Sequence, residues 1–279
     1  MSEHYLGCQL MQYRQFGSAE SGMKRCNVLG VGVHAVGFAQ AVKAFCEGLR
    51  CGASGYVCLT SVHPVIEARL DDSFRIILNS SFLTLPDGMP LVWVGRSQGF
   101  SNMERVYGPD FMLAVCGESV RNGWTHFLYG GKPGVAEELK NALEMKYPGI
   151  KIRGVYCPPF RNLTQAEENE LRRMMAEVSP DILWVGISSP KQERFMASHC
   201  GILKCRFMVG VGAAFDLHTG RMKDAPAWMK QAGLQWLHRL AQEPRRLGRR
   251  YLFTHPLFVF LLLLQLTGLK KFPIQNQGG

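Results

Sequence analysis

Small and polar residues come directly after the predicted strands of this 279-residue sequence. In open parallel sheets, ligands bind beyond the carboxyl ends of the strands. Glycine there lets backbone N–H groups approach a phosphate, and the N-terminus of the next helix adds partial positive charge. The positions are Gly30, Gly32, Thr60, Asp87, Gly88, Gly130, Gly131, Gly186, Ser188, Ser189, Gly210, Gly212 and Asp216. The pattern predicts a phosphate-binding edge of a sheet.

Asp87 is the acidic residue best placed to act as a general base. It lies in residues 85–89 (LPDGM), at a predicted strand end where Gly88 leaves room for a substrate. A carboxylate in this position can take a proton from a weakly nucleophilic hydroxyl. Thr60, at the end of another predicted strand, can hydrogen-bond the same substrate. The alternative interpretation of Asp87 is an ordinary turn residue or the N-cap of the next helix.

Residues 188–193 (SSPKQE) predict a second phosphate-binding element. They follow a predicted strand, and Pro190 near the first helical position orients the next N–H groups and the Gln192 amide outwards. Ser189 and Lys191 belong to the same element, and Lys191 adds positive charge. The alternative is a routine serine-capped helix in which Glu193 is a capping partner.

A glycine-rich segment at residues 30–35 (GVGVHA) raises a competing hypothesis. It follows a predicted strand and precedes a predicted helix, as in NAD-type oxidoreductases. Such a site also needs an acid about 20 residues on, at the end of the next strand, to bind the ribose. That strand ends at residues 58–61 (CLTS) without an acid, and no G-x-x-x-x-G-K-[ST] segment exists. A non-catalytic nucleotide-binding module remains a second alternative.

Apolar strand patterns alternate with amphipathic helix patterns along the chain. Strict alternation predicts a mainly parallel, Rossmann-like α/β sheet with helices on both faces. The predicted strands are 26–33, 56–60, 82–85, 126–129, 151–156, 182–186 and 207–211. The predicted helices are 37–49, 63–71, 89–97, 109–122, 133–146, 164–178 and 190–198. We divide the chain into an N-terminal extension (1–25), a catalytic α/β domain (26–220) and a basic helical appendage (221–279).

The appendage carries most of the chain's net charge of +10. Residues 221–251 hold eight basic and two acidic residues, and such a cluster seeks phosphate groups. An apolar segment follows at 256–269, closed by Lys270 and Lys271; its 14 residues fall short of the ~20 that span a bilayer. We therefore predict reversible binding to an anionic membrane surface and no nucleic-acid partner. A buried C-terminal core helix is the alternative.

The cysteines and the N-terminus predict a cytoplasmic protein. Nine cysteines form an odd set lying mostly in apolar runs, which is typical of reduced, buried thiols. No C-x-x-C zinc motif is present, so no metal site and no cofactor are predicted. The first 25 residues contain charged residues and no apolar block, so no secretory signal is predicted.

Seven ordered segments resemble the WecG/TagA/CpsF glycosyltransferase family. They are Thr60, 85–89 (LPDGM), 105–110 (RVYGPD), 129–136 (YGGKPGVA), 180–193 (PDILWVGISSPKQE), 209–216 (VGVGAAFD) and 233–246 (GLQWLHRLAQEPRR). The resemblance implies transfer of a sugar from a UDP-sugar donor to a polyprenyl-diphosphate-linked acceptor, with inversion and without a metal. It also implies peripheral attachment to the inner face of the cell membrane through the appendage.

The resemblance assigns roles to individual residues. It implies that Asp87 is the base and that Asp216 binds the nucleotide. Gly130, Gly131, Ser189, Lys191 and Gln192 are predicted to bind the nucleotide-sugar. Arg239, Arg246 and Arg249, spaced seven and three residues apart, are predicted to share one helix face and bind the diphosphates. We expect Arg245 and Arg250 to point elsewhere, towards lipid headgroups.

One position departs from the family pattern. Many relatives have T-x-N after the strand, whereas Val62 stands here in place of the asparagine, followed by His63. N-acetylmannosamine, its uronic acid and glucose remain open as donor sugars, and the departure favours a donor without an N-acetyl group. The acceptor sugar, the role of His63 and a homo-oligomeric state are open as well.

Overall fold

A computed structural model describes residues 22–274, so most of the predicted N-terminal extension lies outside the described residues. The strands are β1 (Arg25–Val28), β2 (Val31–His34), β3 (Gly55–Thr60), β4 (Leu83–Pro86), β5 (Thr125–Gly130), β6 (Lys151–Tyr156), β7 (Ile182–Gly186) and β8 (Phe207–Gly210). Within this part of the chain, six strands form a parallel sheet in the order β4-β3-β8-β7-β5-β6. The predicted α/β fold is confirmed.

The helices follow the predicted alternation. They are α1 (Phe38–Arg50), α2 (Val62–Leu70), α3 (Asp72–Asn79), α4 (Met89–Ser97), α5 (Gly108–Asn122), α6 (Val135–Lys146), α7 (Gln165–Val178), α8 (Lys191–His199), α9 (Ala214–His218), α10 (Ala227–Gln231), α11 (Gln235–Gln242) and α12 (Pro244–Leu266). All seven helices predicted for the α/β domain exist. The sequence patterns did not predict α3 or α9. Asp71 is the N-cap of α3, and its side chain accepts hydrogen bonds from the Ser73 and Phe74 N–H groups at 2.8 and 3.2 Å.

The predicted strand at 26–33 is wrong, because these residues form an antiparallel hairpin outside the main sheet. Leu29 and Gly30 make the turn with φ of 54° and 88°, and such twisted turns favour glycine. The Asn27 side chain accepts from the Gly30 N–H at 2.8 Å. Gly32 lies inside β2, so neither glycine belongs to the phosphate-binding edge. The dinucleotide hypothesis loses its structural basis, since α1 begins only at Phe38.

Helices cover both faces of the sheet. One buried cluster joins the sheet to α1, α5 and α6, with Phe45, Phe111 and Leu139 at its centre. The other joins it to α3, α7, α8 and the hairpin, with Phe74 and Met196. The chain passes from β5 to β6, at one edge of the sheet, whereas from β7 it passes in the opposite direction to β8, in the middle of the sheet. The edge between β5 and β7 is therefore a topological switch point, where α/β proteins commonly bind ligands.

Residues 265–272 fold back onto the hairpin. The Gln265 side chain accepts from the Leu29 N–H and donates to the Asn27 carbonyl, both at 2.8 Å. Asn27 Nδ2 donates to the Phe272 carbonyl at 2.7 Å, and the buried Phe272 ring lies under the Arg69 guanidinium at 4.8 Å. We call these contacts the C-terminal clasp. They hold the far end of α12 against the catalytic domain.

Helix α12 is longer than the sequence analysis predicted. It has 23 residues and is long and apolar enough to cross a membrane by length and composition. The prediction that the segment is too short to span is therefore wrong. The alternative of a buried core helix also fails, because α12 exposes a row of large apolar side chains. These are Leu252, Phe253, Val259, Phe260, Leu263 and Leu266.

Candidate functional site

A cavity of about 110 Å³ opens where the catalytic domain meets the appendage. The catalytic domain contributes residues that follow β3 and β4, together with Arg105 and Tyr107. The appendage contributes residues of α10–α12 and their connections. The lining residues include Ser61, His63, Asp87, Gly88, Arg105, Tyr107, Lys230, Gln235, Trp236, Arg239, Tyr251 and His255.

Asp87 lies directly after β4, where its N–H donates to the Thr60 carbonyl at 2.8 Å. Its side chain is 27% exposed, and Oδ1 lies 3.4 Å from Arg105 Nη2. Arg105 Nε also donates to the Asp87 carbonyl. The N-cap of α4 is Gly88, and no side chain caps this helix. Asp87 therefore does not cap α4, which rules out the N-cap alternative. Its carboxylate faces the cavity.

The pKa of Asp87 reflects opposing influences. Burial raises it above the ordinary value of an aspartate. Arg105, the Gly108 amide and Arg239 act in the opposite direction, and burial outweighs them. The Asp87 carboxylate therefore lies close to positive charge and still has a higher pKa than an aspartate in water.

Arg105 and Tyr107 are site residues that the sequence analysis did not assign. Arg105 stacks on the Tyr107 ring at 4.3 Å and donates to the Gln235 side chain. Gln235 Nε2 donates to the Tyr107 hydroxyl at 2.7 Å, which donates to Asp224 at 3.0 Å. This network joins the cavity wall to the appendage. Both residues lie in the segment 105–110 (RVYGPD), one of the seven segments that resemble the family, but neither was assigned a role.

Thr60 ends β3, and the next residue, Ser61, lines the cavity. The Thr60 side chain is fully buried, and its Oγ1 has no hydrogen-bond partner among residues 22–274. Unpaired buried hydroxyls are uncommon in folded proteins. The Thr60 backbone lies beside Asp87, since β3 pairs with β4 and the Thr60 carbonyl accepts from the Asp87 N–H.

The predicted set of three arginines on one helix face is wrong. Arg239 lies on α11, whereas Arg246 and Arg249 lie on α12, because the backbone leaves helical geometry at Glu243 with φ of −133° and ψ of 58°. Arg239 lines the cavity, and its buried Nε lacks a hydrogen-bond partner within the described chain. Arg246 pairs with Glu243, and Arg249 is exposed.

Arg250 lies nearer the cavity than predicted. It is half-buried, and burial lowers its pKa, with Arg246 as the next contribution. Its charge also acts on His63, which lines the cavity. The expectation that Arg250 points away towards lipid headgroups is therefore wrong. Arg239 lines the cavity, and Arg250 acts on His63, which also lines it.

The predicted nucleotide-binding residues lie along the other half of the same edge. Gly130 pairs with Gly186 at the ends of β5 and β7, and the Gly131 N–H donates to the Gly186 carbonyl at 3.1 Å. A Cβ on Gly130 would lie 2.5 Å from the Gly186 oxygen, so this close approach requires glycine. Strands β4 and β5 are four positions apart, about 19 Å at the usual strand spacing.

Gln192 is already engaged within the protein. It is buried; Oε1 accepts from the Gly212 N–H, and Nε2 donates to Glu193 Oε1, both at 3.1 Å. Its amide thus connects the loops after β7 and β8. Lys191 is exposed at the start of α8, with Nζ 4.6 Å from the exposed Phe160 ring.

Ser189 and Asp216 complete the predicted set. Ser189 is half-buried before α8, and Asp216 is half-exposed on the short helix α9. The structure brings Gly130, Gly131, Ser189, Lys191, Gln192 and Asp216 to one edge, separate from the cavity around Asp87. Between residues 22 and 274, no three His, Cys, Asp or Glu side chains come together to hold a metal ion.

The sequence model of the "Glycosyl transferase WecG/TagA/CpsF family" matches residues 26–272. The chain belongs to this family. The match includes the α/β domain, the cavity and the appendage up to the C-terminal clasp. The resemblance seen in the sequence is confirmed, and the protein is a glycosyltransferase rather than an NAD-dependent oxidoreductase.

Two relatives in the family carry the name "N-acetylglucosaminyldiphosphoundecaprenol N-acetyl-beta-D-mannosaminyltransferase". The one from Bacillus subtilis (strain 168) is 28% identical over 193 residues, which are 68% of this chain and 73% of the relative. The one from Bacillus spizizenii (strain ATCC 23059 / NRRL B-14472 / W23) is 27% identical over 183 residues, which are 66% of this chain and 69% of the relative.

Proposed function

We propose that this glycosyltransferase moves a hexose from a UDP-sugar to a polyprenyl-diphosphate-linked sugar, with inversion at the anomeric carbon. The observation that carries the proposal is Asp87, a carboxylate with a raised pKa that faces a cavity walled by Arg105 and Arg239. The relatives' names support the acceptor class, since they specify a sugar attached to undecaprenyl diphosphate. Such transfers belong to the assembly of cell-surface polysaccharides.

In the proposed reaction, Asp87 acts as the general base. It accepts the proton of an acceptor hydroxyl as the hydroxyl oxygen forms a bond to the anomeric carbon. The bond between that carbon and the phosphate oxygen of UDP breaks, and UDP leaves with the electron pair. Direct displacement from one face inverts the anomeric configuration. The raised pKa of Asp87 makes its carboxylate a stronger base for this step.

Positive charge stabilises the two diphosphates in this scheme. Arg105 and Arg239 face the cavity, and Arg250 is close by. Guanidinium groups bind phosphate oxygens through charge-assisted hydrogen bonds and can replace a divalent cation. We assign the UDP moiety to the edge formed by Gly130, Gly131, Ser189, Lys191, Gln192 and Asp216. Gln192 would act there mainly by holding the Gly212 loop in place.

We place the enzyme on the inner face of the cell membrane, attached by α12. The exposed apolar row of α12 suits the hydrocarbon boundary, and the basic residues preceding it suit anionic headgroups. The C-terminal clasp argues for a helix lying in the membrane plane. A spanning α12 would carry Gln265 and Phe272 about 30 Å away from the domain that they contact.

Product analysis tests the proposed function. Purified enzyme is incubated with N-acetylglucosaminyl diphosphate on a short lipid and with UDP-glucose, UDP-N-acetylmannosamine or its uronic acid, in EDTA. We expect one added hexose by mass spectrometry, inverted anomeric configuration by NMR and undiminished turnover in EDTA. Val62 favours a donor without an N-acetyl group. No transfer from any of these donors, or activity that EDTA abolishes and magnesium restores, would contradict the proposal.

A further inference from the structure

His63 lines the cavity, and its largely buried side chain makes no hydrogen bond within the described residues. It lies in the first turn of α2, three residues after Thr60, and its side chain is 11% exposed. Neither ring nitrogen has a hydrogen-bond partner within residues 22–274. The nearest acidic atom, Glu67 Oε1, is 3.6 Å from Nδ1 and too far for a good hydrogen bond.

The ring is neutral at cytoplasmic pH. Burial lowers the pKa of His63 to about 4, and Arg250 and His255 act in the same direction. A neutral imidazole offers one N–H donor and one lone pair. Leaving both unpaired inside a protein is unfavourable, so the arrangement is typical of a ligand contact rather than of packing. A sugar hydroxyl or acetamido group, which both donates and accepts, matches the two nitrogens.

The surroundings of His63 indicate which substrate it meets. His63 lies beside the inner side of α12, since its neighbours Arg250 and His255 both belong to that helix. The outer side of the same helix carries the exposed apolar row. A substrate attached to a membrane lipid would enter the cavity beside α12, whereas the predicted nucleotide-binding edge lies on β5, β7 and β8.

Aromatic rings complete this part of the cavity. Trp236 lies 4.8 Å from His255 and 6.0 Å from Tyr251, measured between ring centroids, and all three line the cavity. Amphipathic rings of this kind suit a sugar, which has apolar C–H faces and polar edges. Polar contact from His63 and apolar contact from Trp236 are therefore available to one bound sugar.

We propose that His63 is a specificity-determining residue that hydrogen-bonds the sugar of the lipid-diphosphate acceptor. The inference rests on the proposed function and adds to it the residue that recognises the acceptor sugar. His63 holds the sugar beside Asp87 and takes no part in proton transfer. Removing it should therefore weaken acceptor binding and leave donor binding intact.

Steady-state kinetics of His63→Leu test the inference, with His63→Gln as the matched control that keeps a donor and an acceptor. The probes are short-lipid N-acetylglucosaminyl diphosphate and the UDP-sugar that the wild type uses. We expect the acceptor KM of His63→Leu to rise roughly 10- to 100-fold, with the donor KM within about twofold of wild type. His63→Gln should recover most of the loss. The melting temperature of His63→Leu should not fall, because no protein hydrogen bond is removed.

An acceptor KM of His63→Leu within about twofold of wild type would overturn the inference. A rise in the donor KM alone would overturn it too, because the ring would then contact the UDP-sugar. A lower melting temperature with both KM values unchanged would give His63 a purely structural role. These outcomes differ from failure of the proposed function, in which the wild-type enzyme itself transfers no sugar.

Discussion

The side chains around Asp87 set up a base beside positive charge. Burial raises the Asp87 pKa, whereas Arg105 lowers it and also holds the Asp87 carbonyl. The same arginine contacts Gln235 of the appendage. Arg105 thus ties the carboxylate, the cavity wall and the appendage together. In the proposed reaction it limits how far the Asp87 pKa rises, which favours the ionised form of the base.

Replacing Arg105 should move the pH profile of the reaction. The proposed base works only when ionised, so kcat/KM falls as the pH drops through the Asp87 pKa. Arg105 lowers that pKa, so Arg105→Gln should raise it and shift the acid limb of the profile to higher pH. The measurement is kcat/KM against pH for wild type and variant. Arg105→Lys, which keeps the charge, should leave the limb nearer its original position.

A limb that stays in place in Arg105→Gln, or that moves to lower pH, would contradict this assignment. Reduced activity at every pH without a shift of the acid limb would mean that Arg105 positions groups in the cavity and does not set the Asp87 pKa. The comparison with Arg105→Lys separates the loss of charge from the loss of the contact with Gln235.

At the scale of elements, local patterns predicted the sheet and its helices well. The bounds of α4 are as predicted, and those of the other six predicted helices differ by one or two residues. Apolar periodicity and strand-to-helix alternation are local signals, and the parallel sheet follows from them. The candidate base could be predicted for the same reason, because Asp87 directly follows a short buried strand.

The failures lie where distant contacts decide the structure. The hairpin at β1 and β2 is held by Gln98, Gln265 and Phe272. These residues are distant from the hairpin in sequence, so local patterns could not predict the contacts. The arginine prediction failed because it assumed one helix through residues 239–249. The chain bends at Glu243 instead, so Arg239 faces the cavity and Arg249 faces solvent. The roles of Arg105 and His63 depend on the appendage that packs against them.

The bend at Glu243 predicts different effects for two identical substitutions. Arg239→Gln should lower kcat/KM for a water-soluble acceptor roughly 10- to 100-fold, since it removes a charged hydrogen-bond donor from the cavity. Arg249→Gln removes the same charge from an exposed position and should stay within about threefold of wild type. Steady-state kinetics of both variants provide the measurement, each the control for the other. Equal losses would restore the prediction that both arginines share one site.

At the scale of the whole molecule, the two ends of the described chain meet. The C-terminal clasp fixes the end of α12 to the hairpin, while Arg105 and Gln235 join the beginning of α11 to the catalytic domain. Helix α12 packs one side against α2 and exposes the other. A membrane surface that contacts the exposed side would bring lipid-linked substrate to the cavity without separating the two parts.

Charge in the apolar row of α12 should abolish membrane binding and spare the chemistry. Leu263→Glu places a carboxylate in the exposed row, where entry into hydrocarbon is costly. Met145→Glu makes the same change at an exposed residue of α6 and serves as the control. Co-sedimentation with anionic vesicles should be lost only in Leu263→Glu, and turnover of a water-soluble acceptor should be retained in both.

Salt and protease treatment define the mode of attachment. High salt should weaken binding of the wild type, because it screens the arginines while the apolar contacts persist. In sealed vesicles, Lys270 and Lys271 should remain accessible to external trypsin, as expected for a helix in the membrane plane. Vesicle binding by Leu263→Glu, or protection of both lysines, would contradict the account. Deleting residues 221–279 is less informative, because it also removes Arg239 and uncovers the hairpin.

Asp87→Asn tests the central claim most directly. Asparagine keeps the size of the side chain and removes the base, so kcat should fall by roughly 10²- to 10⁴-fold while UDP binding by calorimetry stays unchanged. Asp110→Asn alters an exposed aspartate of α5 and should match wild type. Loss of turnover with intact UDP binding in Asp87→Asn alone is the result that the account predicts. Normal turnover by Asp87→Asn would contradict it.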